Sequence, residues 1–364
     1  MSRKQCTLAD VIALGNGKSR PNSEGTNPIY GGNGILGYTS DSNYNGETII
    51  IGRVGAYCGS VYYENKPIWV SDNALAAKPK ERNNAKYFYY FLSDLKLNQF
   101  AEGSSHPLVT QTLLNSIEVE ISDNETEQRA IASVLSSLDN KIDLLHRQNK
   151  TLEAMAETLF RQWFVEEAEV SSEKQILLGN LIETVSITYS FPKSQVIFLN
   201  TSDIYLGDVL KHCYESVKDL PGQAKKSIRE NDILFSEIRP ANGRYAYIDF
   251  EANDYVVSTK LMVLRSKGIL SQTFVYFYLT NHKTLEWLQT LAEARSGTFP
   301  QITFDQLRDL AINVPSEELL SFASQLCDGW LRKLKFNHAQ IRTLEKIRNT
   351  LLPKLMSGEV LVTA

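Results

Sequence analysis

Two long stretches of the chain place apolar residues at alternating steps of four and three positions. One runs over 131–163 and the other over 320–355. This 3.5-residue spacing predicts two long helices, each with an apolar stripe, here called the seam, that packs on another helix. Each seam contains one asparagine, Asn149 in the first and Asn337 in the second. A lone polar seam residue sets the register of paired helices, so we expect the two asparagines to lie opposite each other.

The segments outside the two helices repeat each other. Four stretches of the first segment match four of the second in the same order: 48–59 with 232–243, 69–75 with 256–262, 87–93 with 274–280, and 103–110 with 296–303. Both segments have β-branched runs, Gly and Asn turns and one aromatic stretch, without regular strand–helix alternation. An ordered repeat over nearly the whole chain predicts two related β-rich modules.

The predicted organisation is α+β. We expect modules over 1–125 and 167–315, long helices over 126–166 and 316–356, and a tail over 357–364. An antiparallel coiled coil of the two helices would hold one module at each end, and the last helix would return to the N-terminus. That gives a circular repeat with pseudo-twofold symmetry. A parallel pair would also match the asparagines, but it would bring both modules to one end.

Composition narrows the class of protein. The 364 residues are 43% hydrophobic and 22% charged with a net charge of −4, so any basic surface must be local. The four cysteines are far apart, which disfavours a zinc site and a disulfide framework. The sequence has no signal peptide and no apolar run that could span a membrane. We therefore expect a cytoplasmic protein.

Some stretches match motifs of catalysis or cofactor binding, but the sequence around them lacks the structural elements that those motifs require. The G-x-G-x-x-G pattern of 32–37 is followed by turn residues, whereas a dinucleotide site needs a helix there. The tetrapeptide 27–30, Asn-Pro-Ile-Tyr, is one residue from the N-P-P-[FY] motif of amino-methyltransferases, but no α/β domain surrounds it. The histidines have no ligand spacing, and we expect no catalytic residue, metal or cofactor in this chain. An adenine methyltransferase remains the weaker enzymatic alternative.

Three stretches carry a resemblance to a known family. They are the module pattern of 49–55, the helix start of 127–139, and the end of the second helix at 351–359. Within the plan of two modules and two long helices, they resemble the specificity (S) subunit of type I restriction–modification systems, from about Leu8 to Val360. The helix segments are the more specific part of the match.

The resemblance implies a non-catalytic subunit that recognises double-stranded DNA. Each module would be a target-recognition domain that reads one half of a split site. The helices would dock two methyltransferase (M) subunits, and restriction (R) subunits would join them. S-adenosylmethionine, ATP and Mg²⁺ would act in those partners. The competing interpretation is a coiled-coil scaffold that binds proteins and no DNA.

Loop residues with hydrogen-bonding or aromatic side chains are the candidates for DNA contact. In the first module they are Tyr30, Asn33, Tyr38, Arg53, Asn73, Ser104 and Ser105. In the second they are Lys225, Lys226, Ser236, Arg239, Asn242, Arg244, Lys260, Arg295 and Thr298. The candidates for partner docking lie on the helices: Leu152, Met155, Leu159, Trp163, Leu344, Ile347 and Leu351.

Overall fold

The computed structural model describes residues 3–80, 83–103, 107–162, 175–295, 299–313 and 316–362. The chain forms two compact units, and each long helix contributes to both. Unit one comprises Met1–Leu145 and Gln340–Ala364, and unit two comprises His146–Ala339.

The helices are two long ones and seven shorter ones within the described residues. In chain order they are α1 (Leu8–Val11), α2 (Ala85–Asp94), α3 (Gln111–Ser116), α4 (Glu125–Arg161), α5 (Leu178–Leu181), α6 (Gln272–Thr280), α7 (His282–Arg295), α8 (Phe304–Arg308) and α9 (Glu317–Ser357). Within the described ranges, no helix is long and apolar enough to cross a bilayer.

The strands of unit one are β1 (Arg3–Thr7), β2 (Ile12–Asn16), β3 (Asn27–Gly31), β4 (Gly34–Thr39), β5 (Thr48–Gly52), β6 (Val61–Glu64), β7 (Trp69–Val70), β8 (Ala74–Pro79) and β9 (Glu118–Ser122). Those of unit two are β10 (Gln175–Leu177), β11 (Ile182–Thr184), β12 (Gln195–Leu199), β13 (Ile204–Tyr205), β14 (Asp208–Val209), β15 (Glu215–Ser216), β16 (Ala224–Ser227), β17 (Ile233–Ser236), β18 (Tyr245–Tyr247), β19 (Tyr255–Ser258), β20 (Leu261–Ser266) and β21 (Ala311–Asn313).

The internal repeat appears as one sheet topology built twice. A four-stranded sheet has the order β2-β8-β5-β6 in unit one and β11-β20-β17-β18 in unit two. A second sheet contains one parallel pair, β3 with β7 in unit one and β12 with β19 in unit two. The aromatic stretches become the matching helices α2 and α6. The α+β class and the two β-rich modules are therefore confirmed.

The central strands read as unbroken apolar runs because both of their faces are buried. In β5, Ile49 and Ile51 pack against the helical side of the module, while Ile50 packs toward the second sheet. In β17, likewise, Phe235 packs against the helical side and its neighbour Leu234 packs toward the second sheet. Side chains alternate along a strand, so each sheet is the middle layer between helices and a second sheet.

The described residues of both predicted seams are buried or partly buried along the long helices, which run antiparallel. In unit one, Ile131 of α4 shares a core cluster with Leu355 of α9, and Ile142 shares one with Ile341. The helix α9 continues one turn past Pro353, which has no N–H to donate to the Asn349 carbonyl oxygen. At this end the Arg3 guanidinium donates to the Leu355 carbonyl oxygen at 3.3 Å, which joins the C-terminal helix to the first strand of the same unit.

In unit two the same helices pack around a polar contact. Asn337 Nδ2 donates to Asn149 Oδ1 at 2.7 Å, and both side chains are buried. Further along, Ala156 and Phe160 of α4 share a core cluster with Cys327 of α9. The residue numbers of the contacting positions rise along α4 as they fall along α9, as an antiparallel pair requires.

Candidate nucleic-acid interface

The candidate residues of unit one lie where β5 ends and β8 begins. These strands are antiparallel neighbours, with Gly52 paired to Ala74, so the loops at this edge meet. The Arg53 N–H donates to the Asn73 carbonyl oxygen at 3.0 Å, and the Val109 N–H donates to the Arg53 carbonyl oxygen at 2.9 Å. We call this hydrogen-bonded set of loops the loop frame.

Unit two contains the same loop frame at the end of β17 and the start of β20. The Glu237 N–H donates to the Lys260 carbonyl oxygen at 3.0 Å, and the Ile302 N–H donates to the Glu237 carbonyl oxygen at 2.8 Å. Ser71 and Ser258 occupy equivalent positions just before β8 and β20. Each hydroxyl accepts a hydrogen bond from the backbone N–H two residues later, at 3.4 Å in unit one and 3.3 Å in unit two.

The two frames share their backbone and differ in their side chains. Arg53 and Asn73 in unit one correspond to Glu237 and Lys260 in unit two. The Lys260 ammonium lies 3.5 Å from the Glu237 carboxylate, whereas the Arg53 guanidinium makes no hydrogen bond or ion pair with any described residue. One scaffold thus presents two different sets of donors and acceptors at equivalent places.

A hairpin brings further candidates to the frame of unit one. β3 and β4 are joined by the two-residue turn of Gly32 and Asn33. A side chain at Gly32 would lie within 3.5 Å of the Asn73 and Val54 carbonyl oxygens, so the turn packs closely on the frame. The side chains of Asn33, Asn73 and Tyr38 are exposed, Tyr38 by 58%. Asn33, Asn73 and Arg53 are thus accessible at one edge of the module, whereas Tyr38 pairs with Pro28 at the other end of the hairpin.

Tyr30 does not belong to that surface. Its side chain is 7% exposed and packs between the two sheets, and its hydroxyl donates to a Glu64 carboxylate oxygen at 3.4 Å. Burial and the Glu64 carboxylate raise the pKa of Tyr30 to about 12. A ring in this position is not accessible to a base or a sugar. Ser104 and Ser105 lie outside the described residues.

In unit two, Arg239 is an exposed predicted cation. It begins the turn 239–243 with a φ of 44°, and its backbone N–H donates to the Pro300 carbonyl oxygen at 3.2 Å. The Arg239 guanidinium makes no hydrogen bond or ion pair with any described residue. Asn242, in the same turn, is exposed as well. Both side chains therefore have free hydrogen-bonding groups.

The Arg244 guanidinium is bonded within the protein. Its Nη1 donates to the carbonyl oxygens of Ser202 at 3.3 Å and Ile204 at 3.1 Å, and the guanidinium lies 5.2 Å from the centre of the Tyr205 ring. These contacts hold the strand β13 against the 239–243 turn. The structure thus assigns Arg244 a positioning contact that the sequence did not predict.

Two more candidates are structural in unit two. Lys226 donates from Nζ to the carbonyl oxygens of Thr259 at 3.1 Å and Leu261 at 2.9 Å, and burial lowers its pKa. Ser236 is 2% exposed, and its hydroxyl accepts from the Ile238 N–H at 3.0 Å. Neither side chain is placed to clamp a phosphate or contact a base, whereas Lys225 is exposed. Thr298 and the side chain of Arg295 lie outside the described part.

Sequence reasoning missed the hairpin of β13 and β14. Its turn, Leu206 and Gly207, adjoins the 239–243 turn through a hydrogen bond from the Leu206 N–H to the Gly243 carbonyl oxygen at 2.8 Å. Tyr205 and Leu206 are 46% and 50% exposed. Apolar side chains in a short loop gave no signal in the sequence itself.

The helix candidates divide by seam position. Leu152, Leu159, Leu344 and Leu351 pack partly buried against core clusters. Met155 and Ile347 are 48% and 41% exposed. Of the described candidates, Met155 and Ile347 thus present exposed apolar side chains to a partner, and Trp163 lies outside the described residues.

Comparison with known proteins identifies related chains. Residues 4–154 and 188–319 match the family described as type I restriction modification DNA specificity domain. The HindI specificity subunit of Haemophilus influenzae is 41% identical over 189 residues, which are 50% of this chain and 40% of the relative. The MjaIX specificity subunit of Methanocaldococcus jannaschii is 23% identical over 338 residues, 84% of this chain and 76% of the relative. The fold is similar to the crystal structure of a type I restriction-modification S subunit from M. genitalium, with a TM-score of 0.69, 18% identity and coverage of 98% and 96% of the two chains.

Proposed function

Because the chain belongs to the type I restriction modification DNA specificity family, we propose that it is the subunit that selects the DNA target for a methyltransferase and nuclease complex. Each unit reads one half of a bipartite double-stranded site. The long helices recruit two M subunits, and R subunits join the assembly. This chain supplies recognition, while the partners supply catalysis with S-adenosylmethionine, ATP and Mg²⁺.

The duplicated loop frame is the observation that carries this proposal. A pure scaffold needs no repeated edge that presents polar side chains on one backbone framework. A reader of a split site needs one framework twice, with different hydrogen-bonding groups for different bases. Arg53 and Asn73 in unit one and Glu237 and Lys260 in unit two occupy equivalent places and differ in this way. Arginine can donate to two acceptors of guanine, while asparagine can pair with adenine.

An electrophoretic shift assay on a pool of random duplexes tests the proposal. The chain co-purified with its M subunits should retain a subset of duplexes that share two short conserved stretches. Retention without sequence selection, or none from an intact complex, would support the scaffold instead. Binding of S-adenosylmethionine by the isolated chain would revive the methyltransferase alternative.

A further inference from the structure

The turn between β13 and β14 contains a residue that turn chemistry disfavours. Tyr205 pairs with Asp208, so Leu206 and Gly207 form a two-residue hairpin turn, with φ values of 44° and 97°. Positive φ at both positions is the geometry of a type I′ turn, which favours Asn-Gly. A leucine in the left-handed region is strained relative to residues that tolerate it.

Packing in the protein interior does not account for this leucine. Half of its surface is exposed, and the hydrogen bond that places it comes from its backbone N–H, which any residue except proline would supply. The hairpin is further held by the Gly207 N–H, which donates to the Tyr245 carbonyl oxygen at 3.0 Å, and by Arg244 beneath Tyr205. A strained, firmly held and exposed apolar side chain is a candidate for ligand contact.

The surroundings of Leu206 specify the kind of contact. One side of it lies against Gly243, where an added side-chain carbon would meet Leu206 Cδ2 at 2.8 Å. Leu206 therefore presents an apolar surface next to the 239–243 turn, in which Arg239 and Asn242 are exposed, and it lines a cavity together with Ala241 and Gly243 of that turn. On the edge of a base pair, the apolar group available in the major groove is the thymine methyl.

We propose that Leu206 is a specificity-determining residue that contacts a thymine methyl group in the half-site read by unit two. This inference rests on the proposed DNA-reading function. Unit one has no counterpart of the β13–β14 hairpin among its described strands, so this contact would be particular to the half-site read by unit two.

The test combines Leu206 variants with DNA that lacks single methyl groups. The full chain with its M subunits is titrated onto its selected duplex and onto duplexes in which each thymine of one half-site is replaced by uracil. At one position, uracil should weaken binding by the unsubstituted chain about fourfold, the effect of one buried methyl group. Leu206→Ala and Leu206→Asn should bind the thymine duplex about that much less well and should not distinguish uracil from thymine there.

Two controls separate loss of contact from loss of structure. Leu206→Asn creates a favourable Asn-Gly turn, so its thermal unfolding midpoint should be equal or higher while binding falls. Ile269→Asn changes an equally exposed apolar residue beyond the far end of β20 and should leave binding unchanged.

The outcomes distinguish this inference from the function on which it rests. If the complex selects a bipartite sequence but the Leu206 variants keep the uracil sensitivity, the Leu206 contact is wrong and the DNA-reading function stands. Uniform weakening on thymine and uracil duplexes also contradicts the methyl contact. A complex that selects no sequence contradicts the proposed function itself.

Discussion

Asn149 and Asn337 face each other inside the helix pair and make one hydrogen bond of 2.7 Å where two are possible. Asn149 Nδ2 and Asn337 Oδ1 are buried and have no partner among the described residues. Polar pairs of this kind lower stability and define one register, because any shift buries each amide against apolar side chains. The contact therefore indicates that the alignment of α4 and α9 matters more than their maximum stability.

Replacing one asparagine should cost more than replacing both. Asn149→Leu leaves the Asn337 amide buried without a partner and should lower the free energy of unfolding by about 1–3 kcal/mol. The double variant with Asn337→Leu should recover that loss, since two leucines fill a seam well. Denaturant unfolding of the three chains measures this. A double variant less stable than the single one would show that the amide pair is a net stabilising contact.

The register should also influence the DNA target. If the helix pair sets the spacing of the two half-sites, a four-residue insertion in both helices near the asparagines should lengthen the accepted spacer. The half-site sequences should not change, because the loop frames are untouched. Selection from random duplexes before and after insertion reports the spacer, and an unaltered spacer would remove the helices from that role.

Exposed apolar residues of the helices should recruit the M subunits. Met155→Glu and Ile347→Glu place a charge on an apolar contact surface and should each reduce the M subunits bound per chain. Ser133→Glu, also on an exposed position of α4, is the matched control and should retain two. Light scattering of the purified complexes gives the count. Full recruitment by both variants would place the docking surface elsewhere.

Alkaline pH should destabilise unit two through its buried tyrosines. Burial raises the pKa of Tyr245 and of Tyr247 to about 12, whereas the unfolded value is 10. The unfolded chain thus loses these protons first, and the stability they confer is complete below pH 10 and declines as pH rises toward 12. Tyr245→Phe should show a shallower decline of unfolding free energy between pH 10 and 12. An identical slope in the variant would mean that Tyr245 titrates normally.

The long helices were predictable because their pattern is local. A 3.5-residue spacing and one asparagine per seam depend only on neighbouring residues, so the opposition of Asn149 and Asn337 could be predicted from the chain alone. The antiparallel direction followed from the expected layout with one module at each end. The repeat was predictable for a related reason: strands buried on both faces leave apolar runs that can be matched by eye.

The roles of single loop residues were less predictable because tertiary contacts determine them. Arg244 and Lys226 have the positive charge expected of DNA-binding residues. In the structure, however, their side chains donate hydrogen bonds to backbone carbonyl oxygens from distant parts of the unit. Leu206 violates the rule by which hairpin turns are recognised, so no turn was predicted at that position. Its conformation is imposed by Gly243 and Arg244, which lie far along the chain.

The most direct test of the account is the methylation pattern of DNA from cells that express this chain with its M subunits. Sequencing should reveal methylated adenines in one bipartite motif. Arg53→Ala should relax base preference in one half of the motif and Arg239→Ala in the other, each at a cost of about 1–3 kcal/mol at the position read. A motif that is continuous, or one that both substitutions relax in the same half, would contradict the assignment of one half-site to each unit.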